Sequence, residues 1–484
     1  MQRKTMIQAF EWYINHDDKH WENLLGKVGS FKDLGLNQVW LPPAFKGQKG
    51  IEDSGYGVYD LYDLGEFDQK GHIETKYGHR DSYLKLIEKL EENNLDLIVD
   101  VVLNHRIGAD ETEIVFAKKV DMENRYLTHE IKEIEAWTRF DFEGRHNKYS
   151  DFKWNKDHFK AVDYDVKTGE NMIYLFEGKS WDLLVDSENF NYDYLMGADV
   201  DFYHPDVQKE LLDWIVWYYK LTEFKGVRLD AIKHIDAKFL KMALRKLREY
   251  DQEIFAVGEY WSGDLKVLHD YLMDVDFSMQ LFDVPLHFNL VEASEQPDYD
   301  LRALYNGTLV SNNPAYALTF VDNHDTQIGQ SLESWVKDWF KIHAYAFILL
   351  RDAGIPSVFY ADLYGSNHES MDKVENLEKL LLLRKDHMVG SFYDYMDEPK
   401  TIGWCFTGNQ QADGFVVVLN TDGRTMKRMF LGMHNANTYF WDCMDRSNDK
   451  PVRIDKHGIG YFPVNEKSLS VYIKKEGNYS ARIL

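Results

Sequence analysis

Cysteine, net positive charge and long apolar runs are all scarce in this sequence of 484 residues, and each scarcity excludes a class of protein. With only Cys405 and Cys443, the chain is not a disulfide framework; the two form a single bridge or stay free thiols, and neither has metal-ligand spacing. The net charge of −25 argues against a nucleic-acid partner, because phosphate binding needs clustered Lys and Arg. It also disfavours anionic membranes and suits neutral substrates and divalent cations.

No apolar run approaches the roughly 18–20 residues needed to cross a bilayer. The first residues, MQRKTMIQAFEWY, contain no apolar core followed by a small-residue cleavage site. We therefore expect a cytoplasmic protein, with a secreted protein whose signal has been removed as the alternative. Aromatic residues, in contrast, are abundant at 15% of the chain; most belong in cores, and some are suited to stacking on the flat faces of sugars.

Eight short apolar segments alternate with helical patterns along most of the chain. This alternation is typical of a parallel sheet, and eight such units favour a closed (β/α)8 TIM barrel over an open sheet. The predicted strands lie in TMIQAFEWY, NQVWLPP, LDLIVDVVLNH, GVRLDAI, EIFAVGEYW, FSMQLFDVPL, AYALTFVDNHD and IPSVFYADLYG. Amphipathic segments such as WENLLGKVGSFKDLG and AKFLKMALRKLREY predict helices between them.

Two regions interrupt this alternation. About a hundred residues separate the third strand from the next helix, far more than a usual connection, and short alternating runs such as NMIYLFEG predict a small β-rich insert there. After His387, the segments TIGWCFTG, DGFVVVLN and KSLSVYIKK predict an antiparallel β-domain. We therefore predict a barrel of residues 1–103 and 205–390, an inserted domain of residues 104–204 after strand 3, and a C-terminal domain of residues 391–484.

Arg228 and Asp230 are two residues apart in the predicted fourth strand, so their side chains share a face, away from Val227 and Leu229. In a barrel that face is the interior, and catalytic groups lie at the C-terminal ends of the strands. An adjacent arginine favours the ionised form of a carboxylate, which is the form a nucleophile requires. A buried ion pair without catalytic role explains these two residues equally well on their own.

Chemically active side chains follow the ends of other strands as well. They are Asp100, Asn104 and His105 after the third strand, Glu259 and Trp261 after the fifth, and His324 and Asp325 after the seventh. Each one alone is explained by a helix cap, a turn or a satisfied polar residue. Carboxylates and histidines at the matching end of four strands instead predict a shared site.

Such a set of carboxylates suits the cleavage of glycosidic bonds. Retaining hydrolysis needs a nucleophilic carboxylate and a protonated carboxylic acid about 5–5.5 Å apart. A second carboxylate nearby favours the protonated form of Glu259, which could then protonate the leaving group. Histidines and Arg228 can donate hydrogen bonds to sugar hydroxyl groups.

The segments DVVLNH, GVRLDAIKH, GEYW and FVDNHD, in this order and spacing, resemble the four signature regions of the α-amylase family, glycoside hydrolase family thirteen. The stretch GYGVYDLYDLGEFDQKGHIETKYGHR, together with YSDFKW and NYDYLMGADVDF, is similar to bacterial liquefying α-amylases and their cytoplasmic relatives. The resemblance covers nearly the whole chain, including the domain order. It implies an α-1,4-glucosidic bond as the target, which spacing alone does not reveal.

The resemblance also implies a role for each matching residue. Asp230 would be the nucleophile, Glu259 the general acid/base and Asp325 the carboxylate that stabilises the transition state. The sugar at the cleavage point would contact His105, Arg228 and His324 and stack on Tyr56. The leaving-group side would be lined by Lys233, His234 and Trp261.

One calcium ion is implied as well, at the boundary between barrel and insert. Its ligands would be Asn104, Asp193, Asp199 and the backbone carbonyl of His234, which matches the preference of Ca²⁺ for six to eight oxygen atoms. Some secreted relatives bind a second calcium and a sodium, for which Asp163, Asp182 and Asp201 are candidate ligands. Tyr203 stands where those relatives have a further aspartate, so we expect one structural calcium.

We therefore expect a monomeric, endo-acting α-amylase acting on starch, glycogen or maltodextrins, without a nucleic-acid or membrane partner. A transglycosylase or an α-1,6-acting relative with the same carboxylates is one alternative. A non-catalytic carbohydrate-binding homologue is another, although such proteins usually lack one of the three carboxylates. A metal-dependent barrel enzyme acting on phosphates or amides is disfavoured, because the sequence has no glycine-rich phosphate loop and no His-x-His strand end.

Overall fold

Eight short strands form a closed parallel barrel, as predicted, in a computed structural model that describes residues 3–366, 371–444 and 450–474. We number them along the chain: β1 Met6–Gln8, β2 Gln38–Trp40, β3 Asp96–Val101, β4 Gly226–Leu229, β5 Phe255–Gly258, β6 Gln280–Phe282, β7 Ala317–Phe320 and β8 Ile355–Phe359. The order around the barrel is the order along the chain, β8 being followed by β1. Every predicted segment contains its barrel strand.

The strands are shorter than some of the segments that predicted them. In FSMQLFDVPL the strand ends at Phe282, because Asp283 caps a helix and its carboxylate accepts the N–H of Leu286 at 3.2 Å. In IPSVFYADLYG the strand ends at Phe359 and a short helix, Tyr360–Tyr364, follows. Apolar character alone therefore does not show where such a strand ends, whereas a residue that can cap a helix, such as Asp283, does.

The α-helices alternate with these strands. Their bounds are His20–Leu34, Arg80–Glu92, Pro205–Thr222, Ala237–Arg248, Leu265–Asp274, Val284–Glu295, Leu309–Asn312, Asp338–Leu349, Tyr360–Tyr364 and Leu377–His387. Aspartates begin several of them: Asp236 and Asp264 each accept a backbone N–H two residues on, at 2.8 Å. Apolar periodicity in the sequence did not predict the helices Leu265–Asp274, Val284–Glu295, Leu309–Asn312 and Leu377–His387. No helix in the described part of the chain is long and apolar enough to cross a membrane.

The chain divides into two compact units. One consists of Trp12–Gly29 and Gln38–Phe282 and contains β2 to β6 with the whole predicted insert. The other consists of Met1–Glu11, Ser30–Asn37 and Asp283–Leu484 and contains β1, β7, β8 and the predicted C-terminal domain. The three-domain boundaries drawn from the sequence stay a prediction.

The insert is built around a six-stranded antiparallel sheet. Its strands, in sheet order, are His105–Arg106, Ala198–Val200, Phe159–Asp165, Glu170–Phe176, Glu111–Val120 and Thr128–Arg139. A small apolar cluster that includes Trp181, Tyr194 and Leu175 packs inside it. A separate two-stranded sheet pairs Lys46–Gly47 with Val58–Asp60.

The C-terminal region is antiparallel, as predicted. One sheet contains, in order, Phe392–Tyr395, Thr401–Gly408, Asp413–Asn420, Leu469–Lys474, Tyr439–Asp442 and Val452–Arg453, and a second pairs Thr425–Phe430 with Ile459–Val464. Phe440, Phe462 and Tyr472 are buried between them. Cys405 and Cys443 are buried free thiols. The last residue of KSLSVYIKK and the rest of 475–484 lie outside the described residues.

Candidate active site

Backbone hydrogen bonds continue the barrel ladder one residue past β4 and β5, and they determine where the two predicted catalytic carboxylates lie. The N–H of Asp230 donates to the carbonyl of Val101 at 3.0 Å, and the N–H of Glu259 donates to the carbonyl of Leu229 at 2.9 Å. Asp230 and Glu259 therefore stand at the C-terminal ends of neighbouring strands, where barrel enzymes place their chemistry.

One guanidinium group joins the acidic side chains at this end. Arg228 Nη1 donates to Asp230 Oδ1 at 2.6 Å and to Asp100 Oδ1 at 3.0 Å, while Nη2 donates to Glu259 Oε2 at 2.6 Å. Arg228 and Asp100 are buried, and Asp230 and Glu259 keep 8% and 7% of their surface exposed. The pairing predicted for Arg228 and Asp230 exists and extends to Asp100 and Glu259, so three carboxyl groups share one guanidinium.

Asp100 is the deepest of these carboxylates. Trp40 Nε1 and the Tyr56 hydroxyl both donate to Asp100 Oδ2, at 3.0 and 2.8 Å. Burial raises the pKa of Asp100 to about 6, even though the Arg228 guanidinium favours its charged form. The sequence placed Asp100 at the end of β3 but did not connect it to Arg228; the register that pairs their Cα atoms does so.

The chain turns sharply directly after Asp230. Ala231 has a φ of 48°, in the left-handed region that costs a non-glycine residue on the order of 1–3 kcal/mol. Its N–H points at Glu259 Oε2, 3.3 Å away, and the next N–H, of Ile232, donates to the Glu259 carbonyl at 3.1 Å. The left-handed conformation of Ala231 thus directs two backbone N–H groups at Glu259.

His105 and Tyr56 hold each other next to this cluster. His105 Nε2 donates to the carbonyl of Tyr56 at 2.8 Å, so its Nδ1 carries a lone pair; that atom is buried without a hydrogen-bond partner. Burial lowers the pKa of His105, which favours the neutral ring. The Tyr56 ring lies nearly parallel to Trp12, at 9° with 6.0 Å between centroids. The aromatic ring of Tyr56 and the polar Nδ1 atom of His105 therefore lie side by side.

The loop after β7 carries His324 and Asp325, as predicted. The side-chain oxygen of Asn323 accepts the N–H groups of Asp325 and Thr326, both at 2.9 Å, which fixes a tight turn. His324 Nε2 lies 3.3 Å from Asp325 Oδ2, and its Nδ1 lies 3.1 Å from Gln8 Nε2. His324 is buried, and the Asp325 side chain is 20% exposed.

A buried lysine behind this loop was not found from the sequence. Lys341 Nζ contacts Asp362 Oδ1 at 2.5 Å and Asp322 Oδ2 at 3.0 Å, and Asp322 Oδ1 accepts the Thr326 hydroxyl at 3.0 Å. Burial raises the pKa of Asp322 to about 7, with Lys341 opposing the shift. The loop that bears Asp325 is therefore attached to a charged cluster inside the fold. A lysine within the apolar helical segment WFKIHAYAF was the one signal in the sequence.

Lys233 and His234 lie in the short 3₁₀ turn Ile232–His234 that follows Asp230. His234 Nδ1 donates to the carbonyl of Tyr192 at 2.6 Å, and burial lowers the pKa of His234 to about 3, so the ring is neutral. Lys233 Nζ contacts Glu188 Oε2 at 2.9 Å and lies 3.5 Å from the Trp261 carbonyl. The three residues predicted for the leaving-group side are thus linked to the insert and to β5.

Three of the predicted metal-binding aspartates surround a lysine. Asp182, Asp193 and Asp199 are fully buried, and Lys160 Nζ lies 2.9, 2.6 and 3.6 Å from their nearest Oδ2 atoms. Lys160 was also missed from the sequence; the one signal was a lysine between Phe159 and Ala161 in an otherwise apolar stretch.

Two of the calcium ligands implied by the resemblance, Asn104 and Asp199, fit such an ion. Both polar atoms of the Asn104 side chain and both carboxylate oxygens of Asp199 are buried without a hydrogen-bond partner. The residue after Asn104, His105, pairs with Asp199 across neighbouring strands. Buried polar atoms normally find partners, and amide and carboxylate oxygens are the ligands that Ca²⁺ prefers.

The other candidate ligands are occupied elsewhere. Asp201 Oδ2 contacts Lys179 Nζ at 2.7 Å, and Asp163 Oδ2 accepts the N–H of Gly197 at 3.1 Å. The Tyr203 hydroxyl donates to Asp236 at 2.7 Å. Of the three residues proposed for further cations, only Asp182 belongs to the cluster around Lys160.

His158, His204 and Asp206 also approach within ligand distance of one another, with atoms less than 4.8 Å apart. Each histidine, however, accepts a backbone N–H at Nδ1, from Asn155 at 3.1 Å and from Asp206 at 3.2 Å. A neutral ring that accepts at Nδ1 carries its proton on Nε2 and has no second lone pair for a metal. The hydrogen bonds therefore argue against an ion here.

A cavity of about 340 Å³ lies in the insert, lined in part by residues that directly follow His105 in the chain. Trp137 and Tyr164 line it with 46% and 36% of their surface exposed, together with Gln48 and Arg106. Arg106 directly follows His105, and the Gln48 N–H donates to the carbonyl of Gly57 at 2.8 Å. No motif in the sequence indicated this second polar and aromatic surface.

Known proteins resemble the chain over nearly its whole length. The family described as "Alpha amylase, catalytic domain" matches residues 20–389. An α-amylase of Bacillus licheniformis is 45% identical over 481 residues, which covers 97% of this chain and 93% of that protein. The cytoplasmic α-amylase of Escherichia coli strain K12 is 39% identical over 494 residues, with 98% and 100% covered.

A solved α-amylase structure from Anoxybacillus covers 98% of this chain, and 97% of its own chain is covered, with a TM-score of 0.64 at 18% identity. That likeness supports the fold. The sequence matches extend across all four strand-end motifs and the carboxylates described above. The chain belongs to the α-amylase family and is a glycoside hydrolase of the α-amylase type.

Proposed function

We propose that the chain cleaves internal α-1,4-glucosidic bonds of starch, glycogen or maltodextrins with retention of the anomeric configuration. The observation that carries this proposal is the guanidinium of Arg228, whose two η nitrogens bind Asp230 and Glu259, each at 2.6 Å. Carboxylates on one planar fork are close together, which is compatible with the 5–5.5 Å separation of retaining enzymes. The choice of an α-1,4 bond rests on the relatives, which are named α-amylases.

In the first step, Asp230 attacks the anomeric carbon and Glu259 protonates the departing glycosidic oxygen, which leaves a glycosyl–Asp230 ester. In the second step, Glu259 removes a proton from water, and the water oxygen displaces Asp230. The contact with Arg228 holds the Asp230 carboxylate in place for the attack. It also places a fixed positive charge beside the carboxylates while the sugar passes through an oxocarbenium-like transition state.

We assign Asp325 as the third carboxylate, which stabilises the positive charge that develops on the sugar. The turn at Asn323 and the contact with His324 restrict its position. His324 and His105 would hydrogen-bond sugar hydroxyl groups, and the exposed face of Tyr56 would stack on a sugar ring. Lys233, His234 and Trp261 would receive the leaving chain.

We assign one calcium ion to Asn104, Asp193, Asp199 and the backbone carbonyl of His234. The unpartnered oxygens of Asn104 and Asp199 support this assignment. When bound, the ion supplies positive charge that holds loops of the insert next to the turn bearing His234. It takes no part in the bond-breaking steps described here.

The cavity lined by Trp137 and Tyr164 supports a long substrate. These half-exposed rings suit stacking on further sugar units of the same chain. An enzyme with such an extended surface favours internal bonds of polymers over the ends of short oligosaccharides. We also propose a cytoplasmic location and a monomeric state; the cytoplasmic relative supports the location.

The test is a comparison of purified variants on soluble starch. Asp230→Asn and Glu259→Gln should each lose nearly all activity while keeping the wild-type melting temperature, whereas Glu253→Gln, an exposed carboxylate before β5, should keep full activity. Proton NMR should show α-anomers as the first products. Wild-type-like activity in either active-site variant, or an initial burst of β-anomers, would refute the mechanism.

Profiling of products on starch, glycogen, pullulan and defined maltooligosaccharides tests the substrate. Hydrolysis of internal α-1,4 bonds predicts mixed maltooligosaccharides from starch and glycogen. Predominant cleavage of the α-1,6 bonds of pullulan would instead favour an α-1,6-acting enzyme, and formation of products longer than the substrate would favour a transglycosylase.

A further inference from the structure

Lys160 is the meeting point of three chain segments in the insert. It lies on the strand Phe159–Asp165, and its Nζ contacts Asp182, Asp193 and Asp199. Both carboxylate oxygens of Asp193 accept from this nitrogen, at 2.7 and 2.6 Å. The lysine side chain is 1% exposed and the three carboxylates are fully buried.

The charges in this cluster do not cancel. With all three carboxylates ionised, one ammonium leaves two negative charges, and buried charges are tolerated when they are paired. One divalent cation would balance the cluster, whereas a second cation would add surplus positive charge close to the ammonium. The charge count therefore favours a single divalent ion.

The geometry favours the same number. A calcium ion would lie 2.3–2.6 Å from its oxygen ligands, and Lys160 Nζ already lies 2.6–2.9 Å from oxygens of Asp193 and Asp182. A cation held between those two carboxylates would have to occupy the position of the ammonium. The oxygens of Asp182 and Asp199 and the side-chain oxygen of Asn104 are all buried without a hydrogen-bond partner, but Asp182 Oδ2 lies 2.9 Å from the ammonium whereas Asp199 Oδ2 lies 3.6 Å away.

We propose that the ammonium of Lys160 is a built-in cation of this cluster, so that the chain binds one divalent ion on the Asn104–Asp199 side and no second cation between Asp182 and Asp193. The inference deepens the calcium site proposed above. The Lys160 side chain then neutralises buried carboxylate charge that a second bound cation would otherwise neutralise.

This arrangement links the Lys160 cluster to the turn Ile232–His234, which follows Asp230. The N–H of Asp182 donates to Asp193 Oδ2 at 2.8 Å, so Lys160 and the backbone act on the same carboxylate. Tyr192, the residue before Asp193, accepts the hydrogen bond from His234. Lys160 therefore restrains the segment that meets the turn carrying Lys233 and His234, whether or not an ion is bound.

The test measures bound metal and thermal stability together, in the full chain. After chelation with EDTA, reloading with Ca²⁺ and gel filtration, plasma mass spectrometry should find one calcium per wild-type chain. Lys160→Met keeps the length of the side chain but removes its charge. We expect this variant to bind a second cation when millimolar Ca²⁺ or Na⁺ is present, and to lose at least twice as many degrees of melting temperature on chelation as the wild type.

Two further variants complete the test. Lys179→Met, which removes the partner of Asp201 outside the cluster, should keep the wild-type stoichiometry and chelation response. The double variant Lys160→Met/Asp182→Asn restores the wild-type charge count and should return to one calcium and to the wild-type response. This double variant decides the question if Lys160→Met alone does not fold.

Two or more ions per wild-type chain would overturn the role of Lys160. So would a Lys160→Met chain with the wild-type chelation response, or a double variant that fails to recover. A wild-type chain that binds no calcium would instead overturn the calcium site itself. One ion in the wild type, two in Lys160→Met and one again in the double variant would support the proposal.

Discussion

Arg228→Lys is the most informative single change at the catalytic centre. Arginine uses two nitrogens there: Nη1 binds Asp230 and Asp100, and Nη2 binds Glu259. Lysine keeps the positive charge but has one nitrogen on a flexible chain, and it lacks the planar fork. It therefore cannot bind Asp230 and Glu259 in the wild-type arrangement at the same time.

The expected loss follows from the number of bonds removed. One hydrogen bond between charged groups is lost at Asp230 or Glu259, and such a bond contributes about 1.5–3 kcal/mol. If that contribution is made in the transition state, kcat/KM falls about 13- to 160-fold, because 1.36 kcal/mol is a factor of ten. Arg228→Met removes the charge as well and leaves buried carboxylates uncompensated, so it should also destabilise the fold by about 3–5 kcal/mol.

The assay is kcat/KM on a chromogenic maltooligosaccharide, measured together with urea-induced unfolding. Arg248→Lys is the matched control, because Arg248 donates to the carbonyl of Ser278 at 2.6 Å, away from these carboxylates. We expect the control to keep its activity and Arg228→Lys to keep most of its stability. Activity of Arg228→Lys within threefold of the wild type would refute the shared-fork reasoning.

Three further predictions concern other parts of the molecule. Trp137→Ala removes a stacking surface that contributes about 0.5–1.5 kcal/mol, so KM for long maltooligosaccharides should rise about 2- to 13-fold while kinetics on short ones stay unchanged. Burial lowers the pKa of His287 to about 4, so its contribution to stability is present above pH 6.5 and is lost as the pH falls towards 4. Calorimetry of His287→Gln should therefore find about one fewer proton taken up on unfolding near pH 5. Lys341→Met leaves Asp322 and Asp362 without their buried cation, so urea unfolding should show a loss of about 3–5 kcal/mol at pH 8. The loss should be smaller at pH 5.5, because burial raises the pKa of Asp322 to about 7 and this carboxylate then binds a proton.

Each of these has an outcome that contradicts it. Equal losses on short and long substrates in Trp137→Ala would mean that the cavity is not part of the binding surface. An unchanged proton uptake in His287→Gln would mean that this histidine is not held neutral in the fold. A Lys341→Met chain that is equally destabilised at pH 5.5 and pH 8 would show that packing, rather than the charge cluster, accounts for the loss.

The strand positions were predictable because their signals are local. All eight barrel strands lie in short apolar segments, and the polar residues at their ends, such as Asp230 and Glu259, follow directly in the sequence. The ends of strands were less predictable. Whether Asp283 continues a strand or caps a helix depends on backbone donors, including Leu309 and Val310, that come from another part of the chain.

The sequence by itself determined the barrel, the antiparallel C-terminal region and the identity of the acidic residues at the strand ends, because apolar periodicity and motif spacing extend over only a few residues at a time. Tertiary structure alone decided how charges are shared. Arg228 meets Asp100 across 128 positions through strand register, and Lys160 meets Asp182, Asp193 and Asp199 only where the folded insert brings them together. Electrostatic partners depend on distances in space, and a lysine in an apolar strand carries no local mark of the carboxylates that it will neutralise.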